Sequence, residues 1–565
     1  MIISKVKDGV GLRYRDDDGK SISQIIGYRE FRPYMFIRTK DKLALESTNK
    51  TTITSRDKGG SFKIEMKFET GDFKNLEGED LSKLIWTPNH PRYSMDIKQY
   101  LELLNIESYE GRVPHHHRYA VDCLNQLPIY EMRKCYWDME WMTTGSFKEM
   151  ITTIVAYDSF DKTYKMFAWY PKDKYDEIVK PSLCDYDINV YSSEKTMLAG
   201  FLSYLMNKEP DMLISWFGWK FDLPKLIHRM AKYNLDPRLI SPFDEVSGVS
   251  WHKEKVKVYN KQVDNWSPTY QPVKGMITVP LELAFERQWN DSQQGTLPSL
   301  ALDYVAESVL GEKKLVSEKF PDKNEFFARA WLEDSATYLE YARIDVELLV
   351  RIDEKNHLTE AILALQRLLV APHDACYYAS NMGGIYFMRN APWKAPTTVK
   401  KEKGRYDGAM VYDPLSESTN GLHRNVAALD FKSLYPSMII SRNISWETKS
   451  DTPTELGCNL LEPKDFSESD EKDMRYYRTD KLGLLPKSVL ELQELREEYK
   501  SRMRSDPDNY VIWNNNQLAV KRLMASFYGI TAYQGFSWSD LDIAASITAS
   551  AREAIRIAAR EVRKL

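Results

Sequence analysis

Residues 426–437 read VAALDFKSLYPS. A short apolar run ends in a carboxylate, Asp430, and a tight SLYPS segment follows it. An acid placed at the end of a buried-type strand, beside a turn, is a way of presenting one carboxylate to a divalent cation. The rest of the chain reads as the apparatus that serves this acid, or that should complete it.

The chain has 565 residues, room for three or four domains of ordinary size. With 43% hydrophobic and 28% charged residues it has the composition of a soluble globular protein. No apolar run approaches the roughly 18 residues of a spanning helix. The opening MIISKVKDGVGLRY has polar residues where a signal peptide needs its apolar stretch, so an intracellular, soluble protein is expected and no membrane partner. The five cysteines form no CxxC pair, which fits reduced core thiols better than disulfides or a zinc site. A net charge of −4 does not discriminate, because clustered acids can offset a basic groove.

Up to about residue 130 short β-type runs alternate with turns such as DDDGK and DKGG, predicting a small β-rich domain. His115–His117 are read as extended chain, where adjacent side chains point to opposite faces and three in a row do not share one ion. A structural or solvated role is therefore expected for them. In RKCYWDMEW (133–141) Asp138 and Glu140 lie two apart on one face of a strand. Two acids on a buried strand are unfavourable unless a cation neutralises them. The strand DMLISW then leads through a glycine turn to Phe221-Asp222 and a helix from about Pro224. Residues 246–265 suggest a hairpin, and 336–353 a helix with Tyr341 and Asp345 at i and i+4 on one face. Singly, each acid is an ordinary surface or helix-start residue.

Together they form an ordered set that resembles the three exonuclease motifs of the 3′→5′ proofreading domain of family B DNA polymerases. LPSLALDYVAESVLGEKKL and YEGRVPHHHRYAVD resemble the family's flanking text. The resemblance implies that Asp138, Glu140, Asp222 and Asp345 hold two divalent cations and that Tyr341 orients the attacking water. Two departures stand out: Phe217 occupies the place of the family's Asn before FD, and Pro280 that of an Asp. Neither is one of the four acids implied to hold metal, so these departures bear on rate and substrate positioning.

RYDGAMV (405–411) resembles the family's YxGG/A loop, with Tyr406 and Gly408 in the matching, DNA-contacting positions. DFKSLYPS resembles motif A. The resemblance implies metal binding by Asp430 and by the carbonyl of Phe431, triphosphate contacts from Ser433 and Leu434, and exclusion of a 2′-OH by Tyr435. Two predicted helices follow. PKSVLELQELREEYKSRM carries Arg496, and VIWNNNQLAVKRLMASFYG places Gln517, Lys521, Met524, Ala525 and Tyr528 on one face. Arg496, Lys521 and Tyr528 match nucleotide-binding positions of the family, and Gly529 a DNA-contacting one. Ala525 stands where motif B has Asn.

The final helix, DIAASITASAREAIRIAAREVRKL, resembles the one after motif B, and the chain ends within it. The family's next strand pair carries motif C, a D-x-D. The pair Asp540–Asp542 lies too soon after motif B and reads as an acidic helix start. The expectation is thus an α/β multidomain chain. It comprises a β-rich domain (1–130), an RNase H-like exonuclease domain (131–353) and a helical bridge (354–400). An incomplete palm follows (401–481), then helical-hairpin fingers (482–530) and a palm helix (531–565). The implied function is template-directed DNA synthesis with proofreading, on primer–template DNA and dNTPs, with two Mg²⁺ per site or Mn²⁺ in their place. A second polypeptide carrying motif C and the thumb, and a processivity factor, are the implied partners. The implied setting is a prokaryotic cytoplasm or nucleoid, or a virus-infected cell. Two other readings remain: a stand-alone exonuclease on a DNA-binding scaffold, and a catalytically silent subunit of a replication complex.

Overall fold

The computed structural model describes all residues except 58–59, 183–186, 248–252, 259–260, 267–270, 292–296, 399–406, 409, 411–423, 425, 427–428, 461–472, 534, 563 and 565. Contacts divide the chain into two units, residues 1–31 with 122–374, and 32–121 with 375–565. The boundary cuts through the stretch 1–130 that the turn pattern joins into one β-rich domain. Residues 1–31 form a three-stranded antiparallel sheet, whereas 34–109 build a separate five-stranded one.

The first unit is organised on a six-stranded sheet. Its spatial order is Ile188–Tyr191, Thr163–Trp169, Ile151–Asp158, Lys134–Trp141, Met212–Ser215, Ile277–Pro280. The Lys134–Trp141 strand is therefore interior, antiparallel to Ile151–Asp158 and parallel to Met212–Ser215. Its alternation decides what each face meets. Trp137 points to the Glu194–Lys208 helix and packs on Phe201, with ring centroids 5.8 Å apart. Tyr136, Asp138 and Glu140 point to the other face, which the Ser335–Asn356 helix covers. There Tyr136 donates to Asp353 Oδ2 at 2.5 Å, and the Tyr338 and Thr152 hydroxyls lie 2.9 Å apart. The predicted hairpin is present as the antiparallel strands Lys253–Val258 and Lys261–Trp266.

One expectation is corrected. His115–Cys123 is a helix, so His115, His116 and His117 are not alternating residues of an extended segment, and all three are buried. Pro114 sits just before its first residue and pre-sets a helical start.

In the second unit the two predicted helices are Leu484–Ser505 and Tyr510–Ala532, joined by the short turn Pro507–Asn509. They pack along their length, with Tyr499 stacked on Trp513 and the Arg502 guanidinium 4.7 Å from the Trp513 ring centre. The Ala379–Asn390 helix packs on the second of them through Gly383, where a Cβ would lie 2.3 Å from Ile530 Cδ1. The last helix runs Leu541–Val562. Lys449–Ser450, Met474–Tyr477 and Cys458–Asn459 form a small antiparallel sheet.

Candidate active sites

The strand face and the covering helix bring Asp138, Glu140 and Asp345 together, with one carboxylate oxygen of each within 4.8 Å of the others. Glu140 and Asp345 are buried, and Asp138 is partly so. Asp222 joins from a single π-helical turn, Gly218–Asp222, which links the Met212–Ser215 strand to the Leu223–Lys232 helix. Such turns re-aim a side chain at the mouth of a sheet. The turn is tight because Gly218 has only 2.8 Å between a would-be Cβ and Ser215 Oγ. Trp219 Nε1 fixes it to Thr278 Oγ1 at 2.8 Å.

Burial, and then the neighbouring carboxylates, push Asp138 and Glu140 well above the ordinary acid range. Burial alone pushes Asp222 up to about 6, against hydrogen bonds from Ser215 and the Phe217 backbone. Two buried oxygens, Asp222 Oδ2 and Asp345 Oδ1, have no protein hydrogen-bond partner. An anionic cluster with bare, buried oxygens is the chemistry of a divalent-cation site, and the residues fit such an ion.

The residue types singled out in the sequence left out Lys314. Its ammonium donates to Asp345 Oδ2 at 2.5 Å and to the Tyr341 hydroxyl at 3.2 Å. These acids in turn hold Lys314 above the ordinary lysine range despite its burial. The available signal was the position of LGEKKL upstream of the helix of the last acid, with the Lys323–Glu333 helix between them. Glu282 was also missed. It is wholly buried, its oxygens have no hydrogen-bond partner among the described residues, and Lys220 Nζ is 3.5 Å away. Burial, with Asp222 adding to it, pushes Glu282 up to about 7.

The second cluster is open. Asp430 and Phe431 are exposed, as are Val426 and Leu429, at 74% and 79%. Among the described residues no group of three ligating side chains includes Asp430. Ser433 has φ +58° and starts the helix Leu434–Ser441, so the chain turns sharply there. The Tyr435 and Tyr528 rings lie 4.5 Å apart. Arg496 Nε donates to Gln517 Oε1 at 3.1 Å across the helix pair. The single face expected on the second helix is divided: Lys521, Ala525 and Gly529 are exposed, whereas Gln517 and Met524 are buried. A Cβ on Gly529 or Gly408 would meet no atom within 4 Å. Arg552 holds the Asp407 and Gly408 carbonyls, at 2.5 and 2.8 Å, and Tyr406 lies outside the described residues. Asp540 and Asp542 are structural: both lie on Lys449 Nζ, and Asp540 Oδ1 accepts from the Ile543 N–H at the start of the last helix.

Two family models match: "DNA polymerase family B" over residues 362–565, and the exonuclease domain of that family over 135–271. The chain is 26% identical to the DNA polymerase of Thermococcus sp. (strain 9oN-7), across 94% of this chain and 64% of that one. It is 26% identical to the DNA polymerase of Thermococcus gorgonarius, across 97% and 68%. It thus spans about two thirds of the length of these relatives. The solved structure of the family B DNA polymerase from Pyrobaculum calidifontis shares the fold over 100% of this chain and 71% of that one, with a TM-score of 0.69 at 19% identity.

Proposed function

The chain belongs to DNA polymerase family B, and on that premise we propose that it carries a 3′→5′ exonuclease and the nucleotide-binding part of a DNA polymerase. The observation that carries the exonuclease reading is the convergence of Asp138, Glu140 and Asp345 within 4.8 Å, with Asp222 beside them. These four acids would hold divalent cations, Mg²⁺ or Mn²⁺, which when bound offset the charge that develops on the leaving 3′-oxygen. The chain's own contribution is orientation. Lys314 fixes both the Asp345 carboxylate and the Tyr341 hydroxyl, so that the hydroxyl can direct a water at the phosphodiester. The test is digestion of a single-stranded 3′ end. Loss of digestion in Asp138→Ala is expected, and unchanged digestion would overturn the reading.

In the synthetic half Asp430 and the Phe431 carbonyl would hold metal, and Ser433 and Leu434 N–H groups would meet the triphosphate. Tyr435, packed on Tyr528, would reject a 2′-OH, and Arg496 and Lys521 would bind phosphate. Gly408, with Tyr406 beside it, and Gly529 would face DNA. A glycine inside a helix is unfavourable by about 1 kcal/mol against alanine, and Gly529 has no packing reason for it here. The apolar residues exposed beside Asp430 support completion of this site by a further strand with a second acid, supplied by another polypeptide. Primer extension by the chain alone should be negligible and should appear on adding such a segment; vigorous synthesis without it would sink the partner requirement. The completeness of one acid set, and the lack among the described residues of a ligating group that includes Asp430, also favour a second reading, an exonuclease whose remaining half binds DNA.

A further inference from the structure

The turn that carries Asp222 is tied twice to the segment around the end of the Ile277–Pro280 strand. Trp219 Nε1 donates to Thr278 Oγ1, and Lys220 Nζ lies 3.5 Å from Glu282 Oε1. The members of this ion pair are unlike. The Glu282 side chain is fully buried, whereas that of Lys220 is 43% exposed. A buried carboxylate whose oxygens have no hydrogen-bond partner among the described residues is unfavourable, so stability does not explain why Glu282 is an acid. What solvent meets of the pair is its cation. An ammonium has three donors, and one carboxylate behind it leaves others for an anion in front.

The place of this cation is informative. Lys220 stands two residues before Asp222 and three after Phe217, whose side chain is 38% exposed. A cation beside an exposed aromatic ring is the pairing with which single nucleic-acid strands are held, backbone on the charge and base on the ring. An anchored lysine also loses less freedom on gripping a ligand than one that swings in water. We propose that Lys220 holds a backbone phosphate of the strand whose 3′ end lies in the acid site, and that Glu282 is a positioning residue that fixes the ammonium there. The inference rests on the exonuclease reading and adds to it a strand contact outside the acids.

The test uses the full chain and a single-stranded oligonucleotide, with steady-state digestion in Mg²⁺ read across a series of KCl concentrations. Lys220→Met should raise KM about tenfold at low salt with little change in kcat. One lost phosphate contact should also make the slope of log KM against log salt shallower by about 0.7. Lys220→Arg should keep the wild-type slope. Glu282→Gln should raise KM about threefold, and in the Lys220→Met background it should add nothing, because the two residues act as one unit. An unchanged salt slope in Lys220→Met overturns the phosphate contact. A KM lowered by Glu282→Gln, the result of merely removing a negative charge near the strand, overturns the positioning role, as does an equal rise in both backgrounds. The same salt slopes are read for binding of a short single strand in Ca²⁺, so the contact is scored independently of hydrolysis. Failure of the wild-type chain to digest the oligonucleotide overturns the exonuclease reading instead.

Discussion

The acid cluster of the first unit and Asp430 of the second carry the same functional group in opposite surroundings. Asp138 and Glu140 sit on an interior strand whose two faces are covered by helices, and Asp345 comes from one of those helices. Asp430 stands on an exposed stretch beside exposed Val426 and Leu429. A completed sheet forces carboxylates together in a low-dielectric place, which makes them cation-seeking and sensitive to any missing partner. At Asp430 the described neighbours Val426 and Leu429 are exposed, and the acid is exposed with them. The contrast predicts that losing an acid of the first cluster is severe in activity and losing its cationic partner severe in stability, whereas a substitution at Asp430 is silent in stability.

The largest expected effect is on catalysis. Asp138→Ala should lower single-strand digestion by on the order of a thousandfold, because the cation site loses an acid from its centre. A loss smaller than tenfold in steady-state hydrolysis would break the comparison, since the cluster would then behave no differently from an exposed acid. Next comes Lys314→Met. The lysine's side chain is 19% exposed and that of Asp345 2%, so the variant strands a buried carboxylate. In the absence of metal it should unfold more easily by about 3 kcal/mol in a denaturant titration, and millimolar Mg²⁺ should recover part of that loss.

The pH dependence of the metal-free protein sharpens the same contrast. Asp222 and Glu282 have raised values, about 6 and about 7, against ordinary values of 3.8 and 4.5. A raised acid binds its proton more tightly in the folded chain. Its favourable contribution is therefore complete below the unfolded value and is lost as pH rises through the folded one. Thermal melts without metal should fall between pH 5 and pH 7.5 as these groups ionise. Divalent cations should reverse the fall at pH 7.5 and release protons on binding.

Much of this arrangement was legible in the chain. The spacing of Asp138 and Glu140 fixes a common face on any strand, and Tyr341 and Asp345 at i and i+4 fix one on a helix. The paired helices around Arg496 and Gln517 follow equally from their period. What was not legible depends on long-range packing. Lys314 meets Asp345 across 31 residues, and nothing in its neighbours distinguishes it from Lys313. Glu282 begins a helix, where an acid is ordinarily explained by the N-terminal dipole, and no neighbour in the chain signals its complete burial. The histidine run was misread for a local reason: adjacent polar residues gave no helical period, and burial on a short helix overrode the alternation expected of extended chain. The divided face of the Tyr510–Ala532 helix likewise reflects the helices packed on it, Leu484–Ser505, Ala379–Asn390 and Leu541–Val562 among them, rather than its own pattern.

The smallest effects come from one chemical change made twice. Glu282→Gln removes a buried anion beside Asp222 and keeps its size. Above pH 7 the variant should be more stable than wild type by about 2 kcal/mol, since the raised glutamate no longer has to ionise in the interior. Near pH 4.5 and below the gain should vanish, because the wild-type carboxyl is then protonated when folded. Paired chemical denaturation at pH 8 and pH 4.5 reads both points, and a gain independent of pH would mean that packing, not charge, is responsible. Asp430→Asn makes the equivalent exchange on the exposed stretch. There the side chain is exposed, so stability at pH 8 should change by less than about 0.5 kcal/mol. A stabilisation at Asp430 comparable with that at Glu282 would mean that this side chain is covered in solution, and the contrast between a completed and an open site would fail at its open end.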